Sequence, residues 1–346
     1  MTLQVSTDTD RPSWRRDGPR FALGAWIVAT IAVVAASVVA AIVVSIVATA
    51  QAALGGERSA ERLGEIAQEA IESDMLTWTV LIASQVMLFA CAWLACRVLR
   101  KPVSERLGLV ATNLSPVQGT VLLAATAVPF AAGLAAAWLV SHALGSSSDD
   151  ALGFQRMWQE GSRGESVAWI LLIALLPGFV EEVFYRGLLL RGLLLRWSPA
   201  ASILTSSLLF AVVHGDPVSA AAIFPLGVWL GAIAWRTGSV RMTFAMHAGM
   251  NGLWTAGMMV LHRNPASEPV LNWIAVAVVT LGVVAFPWAI VLLRRQPVVV
   301  PGVAERRPLW LLPRVAVVAV VAGTLLFVLV PPGAAPLATG PAATRP

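Results

Sequence analysis

The sequence predicts an all-α, polytopic transmembrane helical bundle of about eight to nine spans. Of the 346 residues, 58% are hydrophobic and only 12% are charged, and the mean hydropathy is +0.77. The apolar residues fall into separate runs, most of them close to the roughly 20 residues that a transmembrane helix needs. These observations leave no stretch of the chain for a separate soluble domain.

The apolar runs set the order of the predicted spans. Nine runs are predicted to cross the membrane, at about residues 22–49, 75–96, 117–143, 166–186, 200–214, 218–235, 241–261, 271–293 and 309–331. Residues 1–21 are polar and predict a cytoplasmic tail, whereas the Ala/Pro/Gly-rich residues 332–346 predict a disordered tail. Residues 55–74 combine many acids with apolar residues at helical spacing, which predicts an amphipathic surface helix.

The distribution of basic residues predicts the orientation. With the N-terminus inside, the cytoplasmic segments hold 18 of the 24 Lys and Arg residues, as the positive-inside rule requires. The net charge of +5 therefore reflects topology, and we predict no nucleic-acid partner. We expect an integral protein of a bacterial cell membrane. Cys91 and Cys96 lie in one span and form neither a disulfide framework nor a zinc motif.

An acidic doublet lies near the end of the fourth run. Residues 177–187 read Pro-Gly-Phe-Val-Glu-Glu-Val-Phe-Tyr-Arg-Gly, and ionisable residues at membrane depth are costly and usually functional. Arg186 follows Glu182 by four residues, so the two side chains share a helix face. We expect Arg186 to hold Glu182 while Glu181 faces the bundle interior as a general base. The alternative is a structural Arg–Glu pair that locks two helices.

Two histidines within or at the ends of apolar runs add further polar groups. His214 follows Phe210 by four residues, and Asn251 follows His247 by four; each needs a partner away from water. Glu181 can take a proton from water, His214 can hold that water, and His247 with Asn251 can donate to a developing oxyanion. Alternatively, Glu181, His214 and His247 can form a three-ligand zinc site with an open position. The residues alone leave both possibilities open.

These three patterns together resemble the motifs of the CPBP family of intramembrane endopeptidases, which includes the type II CAAX prenyl proteases and the Abi bacteriocin-immunity proteins. The motifs are Glu-Glu-x-x-x-Arg, Phe-x-x-x-His and His-x-x-x-Asn, and they stand here in the family's order. The resemblance covers about residues 166–258. It predicts a catalytic core at 161–260, flanked by transmembrane helices at 22–160 and 261–331.

The resemblance implies hydrolysis of a peptide bond in a membrane-associated substrate. In the family, the first Glu and the histidine of the second motif activate water, and the third motif supports the oxyanion. We expect a metal-free site, with zinc as the alternative. The substrate can be CAAX-like, a bacteriocin or another membrane protein, and the sequence does not reveal the oligomeric state.

Two other functions fit a polytopic chain with buried acids and histidines. A transporter or proton relay would use these groups along a path, but the sequence has no inverted repeat of the kind that many transporters have. A catalytically silent scaffold of the same fold is the second, although the three motifs are intact.

The alternation of spans poses a problem of depth. It places Glu181 toward the cytoplasmic side and His214 toward the outer side, and the fifth span has only about 15 residues, or roughly 22 Å. Tilted helices, or a fourth helix that extends through Leu195, would bring both side chains to one depth. We therefore expect Glu181, His214, His247 and Asn251 to line one cavity.

Overall fold

The computed structural model describes residues 17–112, 114–145 and 163–296. Within these ranges the chain is helical, and the connections between helices are short. The α-helices are α1 (Pro19–Leu54), α2 (Ala60–Ile71), α3 (Asp74–Leu99), α4 (Val103–Arg106), α5 (Pro116–Ala125), α6 (Ala127–Leu144), α7 (Arg163–Glu181), α8 (Arg191–Leu194), α9 (Pro199–Val212), α10 (Pro217–Thr237), α11 (Val240–Arg263) and α12 (Glu268–Arg295). A π-helical segment, Glu182–Leu190, joins α7 to α8, and a 3₁₀ turn, Pro265–Ser267, precedes α12.

The all-α transmembrane fold class is confirmed. Among the described residues, six helical stretches are long and apolar enough to cross a membrane: Pro19–Leu54, Met75–Leu99, Pro116–Leu144, Val167–Leu194, Pro217–Thr237 and Pro265–Arg295. The fifth predicted span is the shorter apolar helix α9, and the seventh is the 24-residue α11. The ninth run and the C-terminal tail lie outside the described residues, so the total number of spans stays a prediction.

Helix α2 occupies the middle of the segment 55–74, between the first two spans. Ser59 caps its N-terminus by accepting a hydrogen bond from the backbone N–H of Arg62. The side chain of Arg62 lies 2.8 Å from Glu65 and 3.1 Å from Glu69, on an exposed face. The helix packs against α1.

The third predicted span is divided into two helices at Thr126. Helix α5 ends at Ala125 and α6 starts at Ala127, because Pro129 has no N–H to donate to the carbonyl group of Ala125. The Thr126 hydroxyl donates to the Leu122 carbonyl and accepts a hydrogen bond from the indole N–H of Trp229 on α10. This buried contact joins α6 to α10 at the break.

The fourth span extends further than the apolar run indicated. The prediction ended it at residue 186, whereas the helical path runs from α7 through the π-helical segment to Leu194. A π-helix leaves the ordinary i to i−4 bonding pattern, and such segments are frequent at functional sites. A core cluster surrounds this segment with side chains from α1, α3 and α9, including Ala29, Ala92 and Phe210.

Arg106, at the end of α4, anchors the π-helical segment to the N-terminus of α1. Its guanidinium donates to the carbonyl groups of Gly187 and Leu188 and pairs with Asp17, which lies just before α1. Burial alone would raise the pKa of Asp17, but Arg106 and a hydrogen bond from Lys101 outweigh that effect and hold the pKa below its ordinary value. The N-terminus of α1, α4 and the fourth span are thereby tied together.

Candidate active site

The acidic doublet occupies the junction between α7 and the π-helical segment. Glu182 is fully buried and Arg186 is 1% exposed, and Arg186 Nη1 forms an ion pair with Glu182 Oε1 at 2.9 Å. Arg186 Nη2 donates to the carbonyl group of Gly227 on α10. The two side chains therefore form the expected pair, and the pair also ties the fourth span to α10.

His247 links α11 to both carboxylates. Its Nδ1 atom lies 3.0 Å from Glu182 Oε1, and its Nε2 atom lies 3.8 Å from Glu181 Oε2. Since an ionised carboxylate only accepts hydrogen bonds, Nδ1 donates to Glu182 and Nε2 faces Glu181. The ring is 4% exposed, so Glu182 fixes both its orientation and its tautomer.

Helix α11 reaches the doublet because Gly178 allows a close approach. A Cβ atom at Gly178 would lie 3.1 to 3.2 Å from the Cβ, Cα and N atoms of Ala248, the residue after His247. Any larger residue would have to move the α11 backbone. Glycine one turn before Glu182 therefore sets the spacing between the two helices that carry the site.

Phe210 and His214 extend the site onto α9 and the turn that follows it. His214 Nδ1 lies 3.0 Å from the Phe210 carbonyl oxygen, so Nδ1 carries the proton and leaves the lone pair of Nε2 available. The Phe210 ring contacts the rings of His214 and His247, with centroids 5.3 and 5.8 Å away, and it lies under the guanidinium of Arg186 at 4.5 Å. The aromatic residue of the second motif thus packs against a member of each of the three motifs.

A cavity of about 610 Å³ collects the functional groups. Glu181, His214, His247 and Asn251 all line it, as the sequence predicted. The problem of depth disappears because the fourth span runs on to Leu194, which places Glu181 near the middle of its span. The short α9 ends at Val212, and His214, just beyond its end, lines the same cavity as Glu181.

The rest of the cavity lining is largely apolar and comes from several helices. We call the part that α1, α3 and α6 contribute the N-terminal wall; its apolar members are Val33, Val34, Leu81, Leu88, Phe130 and Leu134. Three lining valines are also widely exposed, Val34 at 58%, Val212 at 47% and Val213 at 40%. The cavity therefore opens at an apolar rim formed by α1 and the end of α9.

Sequence reasoning missed Gln85, which lies on α3 and also lines the cavity. Its Nε2 atom donates to Glu181 Oε1 over 3.2 Å, and the residue is 4% exposed. The available signal was a neutral polar side chain in the middle of an apolar run. The residue belongs to none of the three motifs, so motif spacing did not identify it.

The zinc alternative would require Glu181, His214 and His247 to surround one ion. In the part of the chain that the structure describes, no three His, Cys, Asp or Glu side chains are placed to hold a metal ion. The Nδ1 atoms of His247 and His214 contact Glu182 and the Phe210 carbonyl group, which leaves the Nε2 atom of each ring for another partner. Glu181, His214 and His247 share a cavity without forming a ligand set.

Other polar residues near the span ends serve local structure. His142 stacks on Trp138 with ring centroids 5.3 Å apart. Asp216 caps α10 by accepting a hydrogen bond of 2.8 Å from the backbone N–H of Ser219. Burial would raise the pKa of Asp216, but the hydrogen bonds from Ser219 outweigh that effect and lower it. The structure does not describe the side chain of His262.

The comparison with protein families agrees with this geometry. Residues 163–253 match the model of the Rce1-like type II CAAX prenyl endopeptidases. The matched segment contains every motif residue: Glu181, Glu182, Arg186, Phe210, His214, His247 and Asn251. The predicted resemblance is thereby confirmed over this segment, and it supports a peptidase embedded in the membrane.

The Rce1-like match covers less than a third of the chain. Helices α1, α3 and α6, which supply the N-terminal wall and Gln85, lie outside it. No curated protein and no solved structure matches the chain.

Proposed function

We propose that the protein is an intramembrane endopeptidase that hydrolyses a peptide bond in a membrane-associated substrate. The observation that carries the proposal is the convergence of Glu181, His214, His247 and Asn251 on one cavity between apolar helices. The match to the Rce1-like peptidase family supports the same reaction class. Polar groups in such surroundings are costly, and hydrolysis gives each of them a role.

Glu181 acts as the general base. Its Oε1 atom accepts a hydrogen bond from Gln85, and its Oε2 atom lies on the side of His247. A water molecule in the cavity gives a proton to the carboxylate as its oxygen attacks the substrate carbonyl carbon, and Glu181 returns this proton to the leaving amine as the C–N bond breaks. His214 holds this water through the Nε2 lone pair, which the hydrogen bond from Nδ1 to Phe210 leaves available.

His247 and Asn251 stabilise the tetrahedral oxyanion. They stand one turn apart on α11, so their side chains share a helix face that lines the cavity. Asn251 donates from its amide, and His247 donates from Nε2 when the ring carries a second proton. One well-placed donor of this kind is worth about 3 to 4 kcal/mol of transition-state stabilisation. Glu182 and Arg186 position His247 and do not reach the substrate.

The substrate is a peptide segment with an apolar flank. The cavity volume of about 610 Å³ is in the usual range for binding pockets, about 300 to 1,000 Å³, and its rim of exposed valines favours entry from the bilayer. A CAAX-like C-terminus, a bacteriocin and a transmembrane segment of another protein all provide such a flank. The proposed mechanism uses no metal, in keeping with the absence of a three-ligand group among the described residues.

The test uses the purified full-length protein in lipid nanodiscs. Two fluorogenic peptides serve as substrates: an S-farnesylated peptide with a CAAX ending and an unlipidated peptide with an apolar transmembrane segment. We expect the wild type to cleave at least one of them, and Glu181→Ala and His214→Ala to lose this activity while they keep the wild-type Tm. His142→Ala, a histidine outside the cavity, should cleave at the wild-type rate.

Two results would refute the proposal. Cleavage that is unchanged in Glu181→Ala or His214→Ala would remove the site assignment. Proton movement across liposomes without cleavage of either peptide would favour the relay. A chelator series addresses the metal separately: we expect cleavage to persist in EDTA and in phenanthroline, and a loss that zinc restores would overturn the metal-free mechanism.

A further inference from the structure

Gln85 is a buried polar side chain that no motif of the chain includes. It lies on α3, outside the segment that matches the peptidase family, and 96 positions before the residue that it contacts. Leu81 and Leu88, one turn before and after it on the same helix, are apolar. A neutral amide at this depth needs a reason, because burying a polar group without adequate partners costs free energy.

The hydrogen bond between Gln85 and Glu181 has a fixed direction. A carboxylate only accepts hydrogen bonds, so the amide nitrogen of Gln85 must face Glu181 and the amide oxygen must point elsewhere. That oxygen is buried and has no hydrogen-bond partner among the described residues. An unpartnered buried acceptor costs roughly 1 to 3 kcal/mol. A contribution to folding stability therefore does not explain why a glutamine occupies this position.

The contact also distinguishes the two oxygens of Glu181. Oε1 is held by Gln85 at 3.2 Å, whereas Oε2 faces His247 Nε2 at 3.8 Å. A glutamate side chain has three rotatable bonds, and a fixed Oε1 restricts the carboxylate to one orientation. The oxygen on the His247 side is then left for water. Because the amide is neutral, it orients the base without adding the positive charge of a lysine or an arginine.

We propose that Gln85 is a positioning residue that orients the general base, an inference that rests on the proposed function. The hydrogen bond from Gln85 holds Glu181 Oε1, so that Oε2 is directed at the attacking water. Gln85 itself does not touch the substrate. The two residues belong to different helices, so α3 takes part in the chemistry although the family match does not include it.

The experiment compares kcat, KM and Tm of Gln85→Met with those of the wild type, in nanodiscs and with the peptide that the wild type cleaves. Methionine keeps the length and approximate volume of glutamine but cannot donate. We expect kcat to fall by about 10- to 100-fold, the size of effect that a misplaced catalytic group produces. KM should stay within about twofold and Tm should not fall, because the substitution also removes an unpartnered acceptor.

Two further variants make the result specific. Thr79→Val alters a polar residue of α3 whose hydroxyl donates to the Met75 carbonyl group and which lies outside the cavity, so its kcat should equal that of the wild type. Glu181→Asp shortens the side chain and withdraws the carboxylate from the reach of Gln85. The double variant Glu181→Asp, Gln85→Met should therefore have a kcat within twofold of that of Glu181→Asp alone.

The outcomes separate this inference from the function on which it rests. If Glu181→Ala is inactive and Gln85→Met retains the wild-type kcat, the role of Gln85 is overturned and the peptidase stands. A fall in kcat together with an equal loss of Tm in Gln85→Met would also overturn it, since that result describes a structural residue. Full activity in Glu181→Ala would overturn both proposals.

Discussion

The close approach of α7 and α11 at Gly178 allows a quantitative test of how the site is held together. In Gly178→Ala the new Cβ would lie 3.1 to 3.2 Å from Ala248, including two of its backbone atoms. Backbone atoms cannot rotate away as a side chain can. The two helices must therefore separate by a few tenths of an ångström. This displacement also moves His247, the residue directly before Ala248.

The size of the effect follows from the distances at the site. The hydrogen bond between Glu182 Oε1 and His247 Nδ1 is 3.0 Å long, and such bonds weaken beyond about 3.2 Å. A misplacement of 1 Å costs about a hundredfold in rate, so a few tenths of an ångström should lower kcat by about 3- to 10-fold. Overpacking costs roughly 1 to 3 kcal/mol, whereas alanine favours a helix over glycine by about 1 kcal/mol. The Tm should therefore fall by only a few degrees.

The assay measures peptide cleavage and Tm for Gly178→Ala beside Gly252→Ala. Gly252 lies on α11 at the same helix interface, but a Cβ there would lie 3.5 Å from the side chain of Ala174, an ordinary contact. We expect Gly252→Ala to cleave at the wild-type rate. Equal rates in the two variants, whether both normal or both reduced, would refute the reasoning that this one contact sets the geometry.

Three more predictions concern buried charge, pH and backbone packing. Arg186→Met leaves the buried carboxylate of Glu182 without a countercharge and should lower the free energy of unfolding by about 3 to 5 kcal/mol, measured by thermal unfolding. The control Arg97→Met, at an exposed position, should leave the stability close to that of the wild type. Burial would raise the pKa of Asp17, but the cationic groups bound to it lower this pKa below its ordinary value of 3.8. The contribution of Asp17 to stability is therefore present above about pH 4 and is lost as the pH falls through the folded-state pKa. The Tm of Asp17→Asn should fall less steeply in acid than that of the wild type, and an identical fall would contradict this. Gly187→Ala places a Cβ 2.7 Å from a backbone carbonyl oxygen and should lower stability by about 1 to 3 kcal/mol, whereas Gly24→Ala, with no atom within 4 Å, should not.

The sequence predicted well what depends on local spacing. A separation of four residues placed Glu182 beside Arg186, and the histidine at 214 lies beside the backbone of the phenylalanine four residues earlier. The apolar runs predicted the helices because each membrane-spanning segment must satisfy its own backbone hydrogen bonds. The motifs then predicted a shared cavity, since each polar group needed partners away from lipid.

Other features depend on contacts that spacing does not encode. The π-helical segment retains the apolar pattern of an ordinary helix, so nothing in residues 182–190 predicted the change of hydrogen bonding. Gln85 and Glu181 meet across 96 positions, and a single glutamine in an apolar run has no periodicity to interpret. Pro129 was visible in the sequence, but the prediction of one continuous third span gave it no weight.

The N-terminal wall precedes the three motifs in the chain and supplies apolar lining to the cavity that they share. In the proposed reaction, the groups that move protons stand on α7, α11 and the turn after α9, whereas much of the cavity lining that would meet a substrate's apolar flank comes from α1, α3 and α6. A substitution such as Val33→Phe changes the shape that fits the cavity but leaves every titrating side chain in place. Under the proposed function, two chains with identical motifs can therefore accept different peptides. Exchanging only the apolar residues of the N-terminal wall between them, with Gln85 kept, would transfer that preference and leave the proposed catalytic residues unchanged.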